Sequence, residues 1–304
     1  MTSVTHATSR SQKRKSRLRN GDTLFGLFNL LLLTIFILCV IFPIYYMFIV
    51  SISGSANVVR GEITWYPMNV NGNAYLTMIN NTGFLRSYGN TVFYTVSGTA
   101  VSVFLSALCA YPLSRKKHMY GAGFFTFFVV FTMLFDAGMI PKYMVVTGLG
   151  LKNTLWAIIL PGAINVYYMI IIRTFFQGMP EEMLESAKID GANELCIFAR
   201  IMLPLSKPVL ASVTLFYAVG MWNSYLAPLL YLDEKRLYPI QLLLRNIVIN
   251  NEMASMNGDM QSLKVSTLNI KYAAIFVVIA PIICLYPFIQ KYFNKGVMIG
   301  AVKG

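Results

Sequence analysis

The residues of this 304-residue sequence that could carry out chemistry are few and scattered. The two histidines, His6 and His118, lie far apart, and neither belongs to an H-E-x-x-H metal motif. The cysteines show no metal-ligand spacing: Cys39, Cys109, Cys196 and Cys284. The sequence contains no G-x-S-x-G nucleophile elbow and no G-x-x-x-x-G-K-[ST] phosphate loop. It therefore predicts no catalytic residue, no metal site and no cofactor bound by this chain.

A polar stretch between Gln177 and Lys207 has a regular helical pattern. Pro180 suits a first helical position, and Glu181 and Glu182 favour the positive end of a helix dipole. Apolar or small residues then recur every three or four positions: Leu184, Ala187, Gly191, Leu195, Phe198 and Met202. The pattern predicts two short helical turns that share one apolar face and bend at Gly191, where glycine gives the backbone freedom.

An apolar face on such a segment suits helix-in-groove docking to a partner protein. The alternative is an amphipathic helix lying on the bilayer, which would carry a strongly basic polar face. Here Lys188 and Arg200 are outnumbered by acidic residues: Glu181, Glu182, Glu185, Asp190 and Glu194. Because anionic lipid would repel these carboxylates, we expect the segment to dock on a protein.

The rest of the chain is membrane-like in composition, with 56% hydrophobic residues, 12% charged residues and a mean hydropathy of +0.59. The formal charge of +13 raises the possibility of nucleic-acid binding, but the basic residues lie mainly at the borders of apolar stretches, so no nucleic-acid partner is expected. Six stretches approach the roughly 20 apolar residues that a membrane-spanning helix requires. They begin near Leu24, Tyr88, Tyr120, Thr154, Pro208 and Tyr272. We predict an all-α, polytopic protein with six transmembrane helices in contact with lipid.

Basic residues set the predicted orientation, because Lys and Arg concentrate on the cytoplasmic side. The apolar run that follows the basic N-terminus is much longer than the roughly 7 to 15 residues of a cleavable signal peptide, so an uncleaved first span is expected. Both termini are predicted to be cytoplasmic. An apolar stretch within an external segment, at 238–249, is too short to span and is expected to dip back toward the membrane. The predicted parts are a basic cytoplasmic tail (1–23), a six-helix transmembrane domain (24–290) with a cytoplasmic loop (178–207), and a C-terminal cytoplasmic tail (291–304).

One motif in the cytoplasmic loop carries a family resemblance. The run from Glu185 to Ala192 (ESAKIDGA), followed by Ile201 and Leu203-Pro204, resembles the EAA loop of ABC importer permeases, with Ser186 in place of the usual Ala. The resemblance implies a coupling helix seated in a cleft of an ATP-binding subunit. Glu185 would pair with a basic residue of that subunit, and Gly191 would form the close turn. The coupling residues it implies are Glu185, Ala187, Asp190, Gly191, Ala192, Ile201, Leu203 and Pro204.

The resemblance extends over most of the chain. Residues 203–211 and 222–224 are similar to the maltose-type (MalG-like) carbohydrate branch, and residues 138–141, 160–163 and 290–304 to LplC/YtcP-type permeases associated with complex oligosaccharides. The resemblance implies a type I ABC importer permease fold in a bacterial plasma membrane. It also implies a cytoplasmic ATPase dimer that binds ATP-Mg, a second permease subunit that forms a heterodimer with this chain, and an extracellular solute-binding protein. The C-terminal residues 300–304 would reach the ATPase.

Polar and aromatic residues within the spans are candidates for a solute path, because amides and aromatic faces bind hydroxyl-rich sugars. They are Asn165, Tyr167, Tyr168, Trp222, Asn223 and Tyr225. The same residue types also bridge helices or lie in interfacial belts, so a structural role stays open for each. The alternative function is a stand-alone ion-coupled carrier or channel, which would place ionisable residues near mid-membrane. Asp136 and Arg173 come closest, and both are predicted to lie near span ends.

Overall fold

A computed structural model describes residues 20–115, 119–256 and 268–284, and within these ranges every regular element is a helix. Several sequence predictions lie outside the described residues, namely those on the tail before residue 20, on His118 and on the chain after residue 284. The helices are, in chain order, α1 (Asn20–Ser51), α2 (Ser55–Val59), α3 (Asn73–Asn80), α4 (Thr82–Ser114), α5 (Ala122–Leu134), α6 (Met139–Gly148), α7 (Leu155–Ile159), α8 (Val166–Gln177), α9 (Glu181–Ile189), α10 (Glu194–Ile197), α11 (Leu203–Leu205), α12 (Lys207–Trp222), α13 (Leu226–Tyr231), α14 (Ile240–Met256) and α15 (Leu268–Cys284). Short 3₁₀ turns at Leu160–Gly162 and Lys235–Leu237 and a π-helical turn at Phe198–Met202 complete the description.

The helices agree with the six predicted apolar stretches, but not all of them are continuous. Helices α1 and α4 are each long and apolar enough to cross a membrane alone. Three further spans qualify only as bent pairs: α5 with α6 at 114°, the stretch Leu155–Gly162 with α8 at 57°, and the stretch Glu194–Leu205 with α12 at 82°. The described residues thus hold up to five spans by this criterion. The sixth predicted stretch forms α15, a shorter apolar helix of 17 residues at the edge of the described chain.

Two of these breaks have local causes in the sequence. After α5, the carboxylate of Asp136 accepts the backbone N–H of Gly138 at 2.6 Å, and Gly138 has a φ of +81°, a conformation that favours glycine. After α7, Pro161 lies in the 3₁₀ turn and lacks the N–H that a continuous helix would use. The side chain of Asn165 then starts α8 by accepting the N–H of Tyr167 at 3.0 Å. The chain therefore interrupts two spans with residues that also cap the next helix.

Helix α4 is the centre of the bundle and packs against α8 and α12. Ala107 and Ala110 are buried on its surface, and small residues allow membrane helices to approach closely. One buried cluster joins these helices to the loop 178–207, and its loop members are Leu184, Ile197, Phe198 and Met202. The prediction of one apolar face free for a partner was therefore wrong for Leu184, Phe198 and Met202, because the ends of α4 and α8 supply apolar side chains that cover them.

The apolar external stretch predicted at 238–249 forms most of α14. Ile240 and Leu242 are buried, and Ile240 belongs to a cluster with residues of α4 and α15, among them Phe84 and Ala273. The N–H of Ile240 donates to the hydroxyl of Thr91 in α4 at 2.7 Å. The apolar side chains of this stretch are thus used for packing against neighbouring helices.

Candidate functional site

The loop 178–207 turns at Gly191 through a Schellman motif. Helix α9 ends at Ile189, and Gly191 follows with a φ of +83°. The N–H of Gly191 donates to the carbonyl of Lys188 at 3.0 Å, and the N–H of Ala192 donates to the carbonyl of Ala187 at 2.9 Å. These two bonds satisfy carbonyls that the end of a helix leaves unpaired. The side chain of Asn193 then caps α10, so the turn predicted at Gly191 is confirmed in its geometry.

A surface of this turn faces away from the bundle. Ile189 is 86% exposed and Leu195 is 70% exposed. Glu185, Asp190 and Gly191 are exposed beside them. We call these five residues the coupling surface, after the role that the sequence resemblance implies for this turn. Large apolar side chains exposed together mark an interaction site more often than an ordinary surface.

The remaining residues implied for coupling build the corner between the loop and α12. Ala187 and Ala192 are half-buried within the turn, and Ile201 and Leu203 are half-buried against the core cluster. Pro204 is exposed in the first turn of α11, just before the 82° bend. The π-helical turn that precedes α11 is a rare element that is frequent at functional sites.

The buried and exposed sides of the loop should respond differently to the same isoleucine-to-valine substitution. Ile197 is fully buried at 0% exposure, whereas Ile189 is largely exposed. We expect Ile197→Val to lower the free energy of unfolding by about 0.5 to 1.5 kcal/mol, because it leaves a methyl-sized void. We expect Ile189→Val to change it by less than about 0.5 kcal/mol. Denaturant unfolding of the purified protein in detergent measures both values, and equal effects would contradict the packing described for the loop.

A network of charged and hydroxyl groups ties the loop to the end of α4. The Tyr111 hydroxyl donates to Glu194 Oε2 at 2.5 Å, and Arg115 Nη1 donates to the same oxygen at 2.9 Å. On the other side, Lys188 Nζ lies 2.8 Å from Glu194 Oε1. The Glu194 carboxylate is therefore held from two sides, by the end of α4 and by α9.

Sequence reasoning missed this network. Glu194 was considered only as one of several loop carboxylates, and neither Tyr111 nor Arg115 was singled out for a contact with it. Glu194 lies 79 residues from Arg115 and 83 from Tyr111. Because the three side chains meet through the packing of the loop on α4, no local pattern in the sequence could have revealed the contact.

A cavity of about 450 Å³ lies where two of the broken spans meet. Its wall includes Asp136 and Gly138 from the break after α5, Pro161 and Asn165 from the break before α8, and Ser224 from the turn after α12. Irregular backbone is tolerated at membrane depth where it lines a cavity or is buried in protein. These two breaks therefore have a common place in the fold.

One wall of the cavity is aromatic. The ring of Tyr168 stacks on Phe216 with centroids 5.5 Å apart, and it meets the edge of Tyr217 at 5.0 Å. The Tyr217 hydroxyl accepts the N–H of Asn165 at 2.8 Å and lies 2.7 Å from the hydroxyl of Ser106. These bonds fix Tyr217, and with it the ring of Tyr168. The cavity also contains an ion pair between Asp136 and Lys142.

Of the six residues predicted for the solute path, the structure brings Asn165 and Tyr168 to the cavity. Tyr167 is 55% exposed and Tyr225 is also exposed, and neither lines the cavity. The polar and aromatic cavity residues that the sequence did not single out include Lys142, Phe216, Tyr217, Ser224 and Tyr231. Phe216 and Tyr217 lie within an unbroken apolar helix, so their sequence context does not separate them from ordinary core residues.

The last two predicted path residues bridge helices. Trp222 is buried, its Nε1 donates to the carbonyl of Val278 at 3.2 Å, and its ring meets Tyr88 edge to face. The side chain of Asn223 donates to the carbonyl of Val219 and accepts from Gln241 at 3.3 Å. Both residues thus have the structural role that the sequence left open.

The ionisable residues considered for a stand-alone carrier also have partners. Asp136 pairs with Lys142 and accepts the N–H of Gly138. Arg173 Nε donates to the carbonyl of Leu113 at 3.0 Å, in the last turn of α4, where helix carbonyls need external donors. Each residue thus contributes to the local structure at the end of a helix.

Comparison with known proteins gives consistent matches. Residues 15–299 match the family model described as binding-protein-dependent transport system inner membrane component. Protein LplC of Bacillus subtilis (strain 168) is 45% identical over 265 residues, covering 87% of this chain and 90% of the relative. The polygalacturonan/rhamnogalacturonan transport system permease protein YtcP of the same organism is 44% identical over 285 residues, covering 91% and 99%. A crystal structure of a bacterial ABC transporter involved in the import of the acidic polysaccharide alginate matches with a TM-score of 0.83 and 35% identity, covering 90% of this chain and 98% of that one.

Together, the broken-helix bundle and these matches define a permease subunit of an ABC importer, a multi-pass protein of the plasma membrane. The chain belongs to the family of binding-protein-dependent transport system inner membrane components. The predicted importer permease fold is thereby confirmed and favoured over a stand-alone carrier. The cytoplasmic placement of the termini and the limits of the three parts stay predictions.

Proposed function

We propose that this permease moves an oligosaccharide into the cell, driven by ATP that a separate cytoplasmic ATPase dimer binds with Mg²⁺ and hydrolyses. A second permease subunit and an extracellular solute-binding protein complete the complex. The proposal rests on the coupling surface. The loop exposes Ile189 and Leu195 at a turn whose opposite side is anchored in the bundle core.

The anchoring gives this surface a mechanical use. When the ATPase dimer closes around ATP, it would displace a loop seated in its cleft. Leu184, Ile197 and Met202 are packed against α4, α8 and α12, so the loop cannot be pulled away without moving these helices. Close-packed cores transmit such shifts because they do not deform continuously. The spans would then alternate between outward-open and inward-open arrangements.

The cavity is suited to part of a sugar chain. Its volume of about 450 Å³ lies within the roughly 300 to 1,000 Å³ typical of small-molecule sites. The Tyr168 ring offers an apolar platform for a sugar face, and Asn165, which caps the same helix, offers its amide group to a sugar hydroxyl. A second permease would complete the site.

Within the oligosaccharides, we propose an acidic one. YtcP is a polygalacturonan/rhamnogalacturonan permease by name, and the matched solved transporter takes part in import of acidic alginate. In this chain Lys142 lines the cavity, where its side chain is 47% exposed and that of its partner Asp136 is 64% exposed. A sugar carboxylate could therefore replace Asp136 as the partner of the ammonium group.

The decisive experiment reconstitutes this chain with candidate ATPase, second-permease and solute-binding subunits in proteoliposomes. Transport and ATP hydrolysis are measured with galacturonate, alginate and neutral maltose-type oligosaccharides of equal length. Oligosaccharide-stimulated hydrolysis that accompanies uptake would support the proposal, and stimulation by the acidic set alone would support an acidic cargo. Uptake that needs no ATPase subunit would overturn it.

The role of Lys142 gives a sharper test of the cargo. Lys142→Gln removes the ammonium charge but keeps a polar side chain of similar reach. Because a charge-assisted hydrogen bond contributes about 1.5 to 3 kcal/mol, we expect the KM for an acidic oligosaccharide to rise by at least about tenfold. The KM for a neutral one should stay within about twofold. Equal changes for both would show that Lys142 does not recognise a carboxylate.

A further inference from the structure

The loop 178–207 is held to the bundle by two kinds of contact. Most of its buried side chains are apolar, and apolar packing is non-directional, so it resists separation better than rotation. The carboxylate of Glu194 is the exception among the described loop contacts to α4. It accepts hydrogen bonds from Tyr111 and Arg115, which fix both its distance and its direction.

The α4 side of this contact is rigid. Arg115 is the C-cap residue of α4, its side chain is 9% exposed, and its guanidinium also donates to the Tyr111 hydroxyl at 3.0 Å. The Tyr111 ring packs against Phe198 with centroids 5.2 Å apart and against Phe176 of α8 at 6.4 Å. The donors that hold Glu194 are therefore themselves fixed by two helices and the loop.

The position of the contact also matters. Glu194 is the first residue of α10, directly after the turn at Gly191, and Lys188 of α9 reaches back to it across that turn. On the other side, Tyr111 and Arg115 flank Pro112 at the end of α4. The contact thus joins the end of the turn at Gly191 to the last turn of α4.

We propose that Glu194 is a positioning residue whose contacts with Tyr111, Arg115 and Lys188 carry the movement of the turn at Gly191 into α4. This inference rests on the proposed function, because it requires an ATPase that displaces the coupling surface. Glu194 has a role distinct from that of Glu185, which lies on the surface facing the partner. Without the Glu194 contact, the loop still docks and the ATPase still turns over, but the displacement is taken up as rotation of the loop on its apolar contacts.

The test compares Glu194→Gln with the wild type in the full reconstituted complex, using trigalacturonate and maltotriose as transport probes. Glutamine keeps the size of the side chain and removes its charge. We expect the number of solutes moved per ATP hydrolysed to fall about tenfold, within the range of measured coupling energies. Co-purification with the ATPase and the basal hydrolysis rate should stay at wild-type level. A merely structural contact would instead lower the amount of assembled complex and leave the transport ratio unchanged.

Two further variants make the result independent of one substitution. Tyr111→Phe removes the hydroxyl but keeps the ring contacts with Phe198 and Phe176, and we expect a loss of about threefold in the transport ratio. The double variant Arg115→Gln with Glu194→Gln should be no worse than the poorer single variant, because residues that act as a unit are not additive. Lys207→Gln removes an exposed charge at the start of α12 and serves as the matched control, with an unchanged ratio expected.

The outcomes separate the two proposals. A wild-type transport ratio in Glu194→Gln, or effects of the Arg115 and Glu194 substitutions that simply add, would overturn the positioning role while leaving the proposed function intact. Loss of ATPase binding in Glu194→Gln would also overturn it, because Glu194 would then be a docking residue. Wild-type transport that continues without the ATPase would overturn the proposed function, and this inference with it.

Discussion

Replacing Gly191 by proline should reduce ATP-driven transport by at least about 100-fold, because a proline that cannot adopt its native backbone costs about 3 kcal/mol or more. Gly191 has a φ of +83°, whereas the proline ring fixes φ near −65°. Proline would also remove the N–H that donates to the carbonyl of Lys188. The turn would open, and the coupling surface would lose the arrangement in which Ile189 and Leu195 face outward together. Transport and ATP hydrolysis of the reconstituted complex measure the loss.

A graded series shows whether backbone conformation is the cause. A Cβ atom at Gly191 would meet nothing within 4 Å, so side-chain size is not limiting there. The left-handed backbone conformation costs alanine about 1 to 2 kcal/mol of conformational free energy, and it costs asparagine less. We therefore expect activity to decrease from glycine to asparagine, alanine and proline.

The matched control for this series is Gly150→Ala. Gly150 has a φ of +69°, and a Cβ atom there would also meet nothing within 4 Å. It lies in the turn after α6, outside the loop 178–207. The same backbone strain there should leave the ratio of transport to hydrolysis unchanged. Equal losses from Gly150→Ala and Gly191→Ala would mean that the effect is general destabilisation rather than a loss of coupling.

The helices were predictable from the sequence because a membrane span needs a long apolar run, and such a run is visible without any partner. The breaks within the spans were not. Residues 138–141 and 160–163 contain the glycine and proline that interrupt the helices. Because apolar residues continue on both sides, a hydropathy profile shows the two helices at each break as one apolar stretch. The bend angles at these two breaks, 114° and 57°, depend on packing around the cavity, which sequence periodicity does not report.

The loop 178–207 shows a different limit of prediction from sequence. Its motif located the turn at Gly191 correctly, but the face assigned to the partner was wrong. Periodicity was counted through Gly191 as if α9 and α10 shared one axis, whereas a residue with positive φ redirects the chain. As a result Leu184 and Met202 pack inward while Leu195, counted on the same face, is exposed. A helical pattern is valid only as far as the helix extends.

Two adjacent tyrosines of α8 allow a test of whether the solute passes through the cavity. Neighbouring residues on a helix point about 100° apart, and here Tyr168 lines the cavity while Tyr167 is exposed outside it. Tyr168→Ala should lower kcat/KM for oligosaccharide transport by about 30-fold or more, because buried aromatic anchors in binding sites commonly contribute 2 kcal/mol or more. Tyr167→Ala removes the same atoms from the next position and should change kcat/KM by less than about twofold.

Tyr168→Phe separates the ring from its hydroxyl. The ring contacts with Phe216 and Tyr217 would be kept, so this variant should retain most of the transport activity if a sugar stacks on the ring. The thermal stability of the three variants in detergent shows whether a loss reflects binding or packing. If Tyr167→Ala were the more damaging change at equal stability, the solute would pass along the outer face of α8, and the cavity at the helix breaks would be structural. Tyr167 and Tyr168 are the same type of residue but differ in exposure. The comparison between them therefore tests directly where the solute path runs.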